Sequence, residues 1–395
     1  MRQPNACSDA PTDTQSMRAL RLETPHPSAS PIVVCHVERI PPFVGAALAG
    51  LYEHVFASLE YFKIFKPHDR VSTLVVRSPA DASAALLAVL LFRTSGARAE
   101  VFNEFCAVDN VILQYCATEI FSRFSGVQMI CFRHLVSAPR QLLQPFQCHN
   151  AAEDYVLHLP DSVQRYTESL GKSTRRNIRR YHDKLLQDHP SFAIRFDVGP
   201  QINENDVAAL LALSRAKIRS QGKTFSVDDG YARAMAGLMR HCGFVAVATI
   251  DGKVCAGLIC YRTGNGFMAK VVAHESRYDD YWLGTLCYYL TICEALRRGG
   301  RIFNMGTQRY DYKERLCGVR RDLDHLTIYR SRWKQALHAD SMLRMALGRH
   351  LRRAKLWVQA RESRQAPVVD RLIGRIARRI AGILRALQSR FSQRR

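Results

Sequence analysis

The segment Met268–Lys313 constrains the fold of this 395-residue chain more than any other. It contains a nearly continuous apolar run at Phe267–Ala273, a run of helical length and periodicity at Leu286–Arg298, and a short apolar run at Arg301–Met305. These patterns predict a strand, a crossover helix and a second strand. Because strands joined by a crossover helix lie parallel, the unit indicates a largely parallel or mixed sheet.

The loop between the predicted strand and helix carries Gly284, which Thr285 follows at the start of the helix. A glycine lets backbone N–H groups approach a ligand, and the N-terminus of a helix favours an anion. We therefore expect a phosphate-binding site at this loop.

The composition indicates a globular protein. A chain of 395 residues with 47% hydrophobic residues is long enough for two or three domains. It has no apolar run of the roughly 18 residues that a membrane span needs. The polar segment 1–30 predicts a disordered leader, and the 12 cysteines lack a C-x-x-C pair. We interpret them as buried thiols in a reducing compartment, with no metal site.

The net charge of +22 is unevenly distributed. The segment 331–395 holds 17 Lys and Arg residues against 3 Asp and Glu residues, which is +14 of the total. The basic character therefore belongs mainly to a C-terminal tail, and we expect no DNA binding by the core.

In the segment 31–150, the patterns predict a helical region at Phe43–Phe65 and strands at Ser83–Thr94 and Ala99–Cys106. A helix from Asp109 to Phe124 and a further strand follow. This order is similar to that of the opening segment, although no glycine precedes the helix. We interpret 31–150 as a degenerate copy of a later domain.

The segment 136–154 is predicted to be a connector, after which GKSTRRNIRR begins a helix. The P-loop pattern fails there, because Tyr166 stands where a glycine is required. Arg176 and its neighbouring arginines lie on the polar face of this helix. They would contact ligand phosphates, an anionic substrate or only water.

Residues 192–330 predict a strand, two helices, three antiparallel strands, a glycine loop, a helix, a strand, a short helical stretch and a final strand. The final ten residues of the opening segment, from Asn304, read NMGTQRYDYK. With the element order, they resemble the CelD/BcsL-like acetyltransferases of the GNAT fold, which are related to the FemABX peptidyltransferases. In that family the stretch reads D-F-G-x-G-x-x-x-Y-K, so Gly306, Tyr312 and Lys313 match, whereas Asn304 and Gln308 differ.

The resemblance implies an α/β (α+β) fold with tandem GNAT-like domains, mixed and mostly antiparallel sheets, and a helical basic tail. It also implies acetyl-CoA as the acyl donor and an amine or hydroxyl acceptor. The donor contacts that it implies are Val271, Val272, Ala273, Gly284, Thr285 and Leu286.

Direct acyl transfer needs a base for the acceptor and an acid for the leaving thiolate. His274 and Glu275, just after the first strand, are the candidate bases, and Tyr312 is the candidate acid. Each has an alternative role as a loop polar residue or a packed aromatic. The predicted substrate contacts are Asn304, Lys313 and Arg176, although Lys313 would equally make a structural ion pair.

The C-terminal segment 371–387 has an apolar stripe flanked by arginines. Such a basic amphipathic helix is typical of a membrane-surface or partner-binding element. The alternatives are packing on the protein's own core or a disordered tail. Binding of the full chain, but not of a chain ending near Ser331, to anionic liposomes would identify a membrane-binding tail.

The sequence thus predicts four segments, namely 1–30 (leader), 31–150 (degenerate GNAT-like domain), 151–330 (acyl-CoA-binding domain) and 331–395 (tail). The predicted function is acyl transfer from acetyl-CoA in polysaccharide or cell-envelope biosynthesis, in the cytoplasm or at the inner membrane face. The alternatives are a FemX-like ligase that uses aminoacyl-tRNA and a non-catalytic scaffold.

Overall fold

The computed structural model describes residues 33–66, 70–78, 85–136, 139, 141–220 and 228–338. The strands of the first half are β1 (Val33–Val37), β2 (Ser72–Arg77), β3 (Leu86–Ser95), β4 (Arg98–Val101), β5 (Met129–Leu135) and β6 (Phe146–His158). Those of the second half are β7 (Ala193–Val198), β8 (Gly243–Ile250), β9 (Lys253–Thr263), β10 (Gly266–His274), β11 (Ile302–Asn304) and β12 (Val319–Tyr329). The helices are α1 (Val44–Tyr52), α2 (Leu59–Phe65), α3 (Asn110–Arg123), α4 (Val163–Ser169), α5 (Lys172–Asp188), α6 (Glu204–Ser220), α7 (Asp229–Cys242), α8 (Leu283–Arg297), α9 (Asp311–Arg315) and α10 (Arg332–Leu337).

The described strands form one sheet in the order β1-β2-β3-β4-β5-β12-β6-β11-β10-β9-β8-β7. Of the pairs between these strands, only β4 with β5 and β10 with β11 are parallel. The prediction of a mixed, mostly antiparallel sheet is therefore confirmed.

The two halves repeat one topology. Each has a strand, two helices, three antiparallel strands, a crossover helix and a parallel strand; the crossover helices are α3 and α8. The last strand of each half is exchanged: β6 follows β5 but pairs with β11, and β12 follows β11 but pairs with β5. The exchanged strands pair with each other at the centre of the sheet. This arrangement is the predicted tandem fold, while the predicted tail after residue 338 lies outside the described residues.

Three local predictions are wrong. The predicted connector 136–154 includes most of the first part of β6, and residue 150, the predicted domain boundary, lies inside that strand. Polar residues dominate there and are only half-buried, so apolar alternation gives no signal. The region Phe43–Phe65 is interrupted by a 3-10 turn at Val55–Ala57, and β4 ends at Val101 instead of Cys106.

Helix α8 is almost surrounded by protein. Leu286, Tyr288 and Ile292 are among its fully or almost fully buried side chains, and they join a core with β9, β10, α4 and α5. Helices α6 and α7 cover the opposite face. A helix that is apolar on all sides needs such burial, and each large side chain contributes about 1.5–3 kcal/mol.

The first half also packs directly on the second. A Cβ placed on Gly266, at the start of β10, would lie 1.8 Å from the carbonyl oxygen of Glu53, just after α1. Only glycine permits this approach of two backbones.

We predict that Gly266→Ala destabilises the protein by about 1–3 kcal/mol or more, because the added methyl overpacks this contact. Urea unfolding monitored by circular dichroism will measure the loss. Gly50→Ala in α1 is the matched control, since its Cβ would meet nothing within 4 Å. If both variants unfold at the wild-type urea concentration, the contact between the halves does not limit stability.

Candidate active site

The open edge of β10 lies beside the end of β11. The two strands pair only between Gly266–Met268 and Ile302–Asn304, whereas β10 continues to His274 along β9. No described strand pairs with the other edge of residues 269–274. The β9–β10 register shifts between Ala269 and Val271, which leaves a bulge at Lys270. A bulge and an unpaired edge present backbone N–H and C=O groups that a ligand can bind.

The side chain of Lys313 projects from α9 toward the bulge of β10. Its side chain is 2% exposed, and its Nζ donates to the carbonyl oxygen of Gly306 at 2.7 Å. A Cβ on Gly306 would lie 3.6 Å from the Ala269 carbonyl oxygen and 4.0 Å from the Lys313 Nζ, so both atoms flank the same small space. The Nζ also lies 5.2 Å from the centre of the Tyr155 ring. Burial lowers the pKa of Lys313 to about 8.

Two ion pairs of the central strands lie around this lysine. Arg321 of β12 donates to Asp154 of β6 at 2.9 Å and to the side-chain oxygen of Asn304 at 3.2 Å. Arg309 binds both carboxylate oxygens of Glu153. The carboxylates of Asp154 and Glu153 are buried, whereas the side chains of Arg321 and Arg309 are 28% and 37% exposed, so solvent screens these pairs only in part.

Tyr312 packs beside Lys313 in α9. Its ring lies 5.3 Å from Tyr288 and 5.7 Å from Tyr310. Burial raises the pKa of Tyr312, so the phenol stays protonated at neutral pH. Its hydroxyl forms no hydrogen bond with the described residues.

The N-terminus of α8 is the second part of the site. Trp282, the N-cap residue, has φ +54° and gives no side-chain cap. The amides of Thr285 and Leu286 already donate to the Trp282 carbonyl oxygen at 2.9 Å. Thr285 and Leu286, which were predicted to bind phosphate through their amides, therefore already have an acceptor, and the amides of Leu283 and Gly284 are the ones without an acceptor in the described structure.

His274 lies against this helix end and not beside Lys313. A Cβ on Gly284 would lie 2.6 Å from its Nδ1, and its Nε2 contacts Asp279 at 2.8 Å and Lys217 at 3.1 Å. Burial, followed by the Lys217 charge, lowers the pKa of His274. Since His274 is five residues beyond Ala269, it is roughly 16 Å away along the strand. Glu275 pairs with Arg277 at 2.9 Å.

The equivalent positions of the first half are closed. The carboxylate of Asp109 caps α3 by accepting from the Val111 amide at 2.7 Å, where α8 has no such cap. The side chain of Asn103 bonds to Val89 and Leu91 of β3 beyond the end of β4. The Phe105 amide then donates to the carbonyl oxygen of His134 at 2.9 Å, so no open edge remains.

The structure adds residues that the sequence did not indicate. Asp154 lay in the predicted connector, and Arg321 meets it only because the final strands are exchanged. Arg176 is exposed on α5, a helix that packs against α8 and the turn before it. No cluster of three or more His, Cys, Asp or Glu side chains in the described ranges is arranged for a metal, and no helix there is long and apolar enough to cross a membrane.

Histidines line the central strands behind the site. His325 of β12 lies opposite His149 of β6, and its ring centre is 4.7 Å from that of His134 of β5. The Nδ1 of His325 accepts from the His134 amide at 3.2 Å, so it must be unprotonated. Burial lowers the pKa of His325 to about 4.

Residues 172–314 match the family model described as an acetyltransferase (GNAT) domain. The structure of FemX is similar over 77% of this chain and 98% of that chain, with a TM-score of 0.54 and 8% identity. L-PGS from Bacillus licheniformis covers 78% of this chain and 97% of its own, at a TM-score of 0.47 and 13% identity. No curated protein matches the chain.

The matched segment contains β7–β11, Gly284 and Lys313, whereas Asp154 and Arg321 lie outside it. The chain therefore carries a GNAT acetyltransferase domain and is a transferase. Such a domain takes an acyl-CoA or a related donor and an acceptor substrate. The likeness to FemX shows a shared fold.

We predict that the stability of the protein falls as the pH falls from about 6.5 to about 4. The folded-state pKa of His325 is depressed, so its contribution is complete above the unfolded pKa and is lost on acidification. Urea unfolding at pH 7 and at pH 5 gives the free energy of unfolding at each pH. For His325→Gln, which keeps a hydrogen-bond acceptor that does not titrate, we expect the difference between the two values to be smaller than in the wild type by about 1–2 kcal/mol. His182→Gln on the surface is the control, and an unchanged difference in H325Q contradicts the assignment.

Proposed function

We propose that this protein transfers an acetyl or other acyl group from an acyl-CoA to an amine or hydroxyl acceptor. The observation that carries the proposal is the buried ammonium of Lys313, which has one hydrogen-bond acceptor and faces the bulge of β10. A buried cation with unused donors is costly unless a substrate group completes its hydrogen bonds. The match of residues 172–314 to an acetyltransferase (GNAT) domain supports the same chemistry.

The donor would lie along β10. Its pyrophosphate binds the free amides of Leu283 and Gly284, which the α8 dipole makes favourable for an anion. Its pantetheine arm follows the open edge formed by Val271, Val272 and Ala273. The thioester then reaches the bulge at Lys270, next to Lys313.

In this arrangement Lys313 stabilises negative charge as it develops on the thioester oxygen. A preorganised donor in a shielded site is the usual means of stabilising such a transition state. Tyr312 stays protonated and gives its proton to the thiolate that leaves. His274 and Glu275 lie at the phosphate end of the donor, and we assign them to that end. The acceptor gives up its proton to water, and Tyr312 regains from water the proton that it gives to the thiolate.

The acceptor would approach from the central strands, where Asn304, Asp154 and Arg321 form a largely buried polar cluster. Asn304 offers an amide for a hydroxyl or carbonyl group. The resemblance of the segment after Asn304 to CelD/BcsL-like acetyltransferases supports an acceptor from polysaccharide or cell-envelope biosynthesis.

A second function is transfer of an aminoacyl group from tRNA. The specific observation is α5, which carries six Lys and Arg residues against two Asp residues. Such a surface also suits the phosphates of an RNA. This function predicts tRNA binding that weakens steeply with salt, and no response to acetyl-CoA.

We predict that acetyl-CoA raises the melting temperature of the full-length protein, because a ligand at 100 times its Kd adds about 2.7 kcal/mol to stability. Differential scanning fluorimetry with acetyl-CoA, and with tRNA in a parallel series, will distinguish the two donors. Mass spectrometry after incubation with acetyl-CoA and cell extract then identifies the acetylated product. Stabilisation by tRNA alone would refute acyl-CoA transfer.

We predict that the transfer rate falls as the pH rises through about 8, since Lys313 acts as a cation and loses its charge there. Lys313→Met lowers kcat by about 10²–10³, the usual effect of removing one oxyanion donor. Lys334→Met in α10 is the surface control. A rate that rises through pH 8 would instead make Lys313 a base, and an unchanged rate in K313M would place the chemistry elsewhere.

A further inference from the structure

A stripe of cations on α5 lacks partners. Arg176, Arg180 and Lys184 follow one another at four-residue intervals, a spacing at which like charges destabilise a helix. None of them forms an ion pair or a hydrogen bond with a described residue. Arg175, in contrast, donates to the Glu168 carbonyl oxygen, so the stripe is a specific subset of the basic helix.

Aromatic rings hold Arg180 and Lys184 of this stripe near the start of α8. The guanidinium of Arg180 lies 4.6 Å from the centre of the Tyr181 ring, and that ring stacks on Trp282 at 5.3 Å. Arg315 of α9 lies 5.7 Å from the Trp282 ring. The Nζ of Lys184 lies 4.9 Å from the centre of the Tyr281 ring. Cation–π contacts fix the planes of the two guanidinium groups, which otherwise sample many rotamers.

These cations border the free amides of α8. Trp282 is the residue just before Leu283, so Arg180 and Arg315 reach the helix start from two different helices. Guanidinium groups bind phosphate through paired N–H donors, and a fixed plane reduces the entropy lost on binding. The arrangement therefore suits a ligand with several phosphates.

We propose that Arg176 and Arg180, with Arg315 opposite them, bind the phosphates on the adenosine part of the CoA donor. The inference rests on the proposed acyl-CoA function and extends it, since the donor's nucleotide becomes a determinant of affinity. It also explains the unpaired stripe, because the ligand supplies the anions that the protein does not. A donor without the nucleotide gains nothing from these residues.

The experiment measures dissociation constants by isothermal titration calorimetry on the full-length protein. The ligands are acetyl-CoA and acetyl-pantetheine, which differ in the nucleotide. Arg180→Gln and Arg176→Gln should each weaken acetyl-CoA binding by about tenfold or more, the usual effect of losing a charge-assisted hydrogen bond. Both variants should bind acetyl-pantetheine as the wild type does.

Arg165→Gln in α4 is the matched control, because it removes the same charge from a side chain that is 69% exposed and paired with Asp161. It should leave acetyl-CoA binding unchanged. The inference would be overturned if R180Q weakened the binding of acetyl-CoA and of acetyl-pantetheine equally, or if R165Q weakened acetyl-CoA binding as much as R180Q does. Either result would leave the acyl-CoA function intact. Variants that weaken tRNA binding but not acetyl-CoA binding would assign the stripe to RNA. Wild-type protein that binds neither acetyl-CoA nor acetyl-pantetheine would refute the proposed function itself.

Discussion

The pairing of β6 with β12 at the centre of the sheet is the interaction on which the rest of the structure depends. Each of these strands belongs by chain order to one half and by hydrogen bonding to the other. Without their pairing, the two halves would be separate sheets with exposed edges, which proteins avoid. The same pairing brings Asp154 beside Arg321 and so builds the charged floor of the site.

One topology used twice gives an open site in one half and a closed one in the other. The difference depends on a few side chains. Asp109 provides its own anion at the start of α3, and Asn103 satisfies backbone groups of β3. In the second half, Trp282 gives no cap and Lys270 lies in a bulge, so the matching positions stay available to a ligand. These contacts are the physical reason for which we interpret the first half as a degenerate copy of the second.

The elements of the fold that could be predicted are those whose sequence patterns are local. The strand, helix and strand of Met268–Lys313 were predicted because apolar periodicity and Gly284 are local signals. The first part of β6 was missed because its hydrogen-bond partner lies about 170 residues later in the chain, and its polar residues show no alternation. The tandem fold was implied by the family resemblance, whereas the exchange of final strands leaves no local pattern.

The same distinction applies to the site residues: positions within one local segment could be predicted to lie together, whereas positions on different elements could not. The roles of base and acid suggested that His274, Glu275 and Tyr312 act together, but His274 lies roughly 16 Å along β10 from Ala269, near which Lys313 lies. The number of residues between positions 274 and 312 does not predict this separation, because it depends on the pairing of β11 with the start of β10. Motif spacing did place Gly306 and Lys313 correctly as one unit, since they lie on a single loop and a short helix.

Asn304 can be understood from the charges around it. Arg321 is shared between Asp154 and Asn304, and Glu153 is matched by Arg309. Lys313 makes no ion pair with the described residues, and Asp154, whose negative charge favours the protonated lysine, is already paired with Arg321. A carboxylate at 304 would compete for Arg321 and attract Lys313, which would raise the lysine pKa and occupy its donors. The amide at position 304 instead leaves the donors of Lys313 available to a substrate.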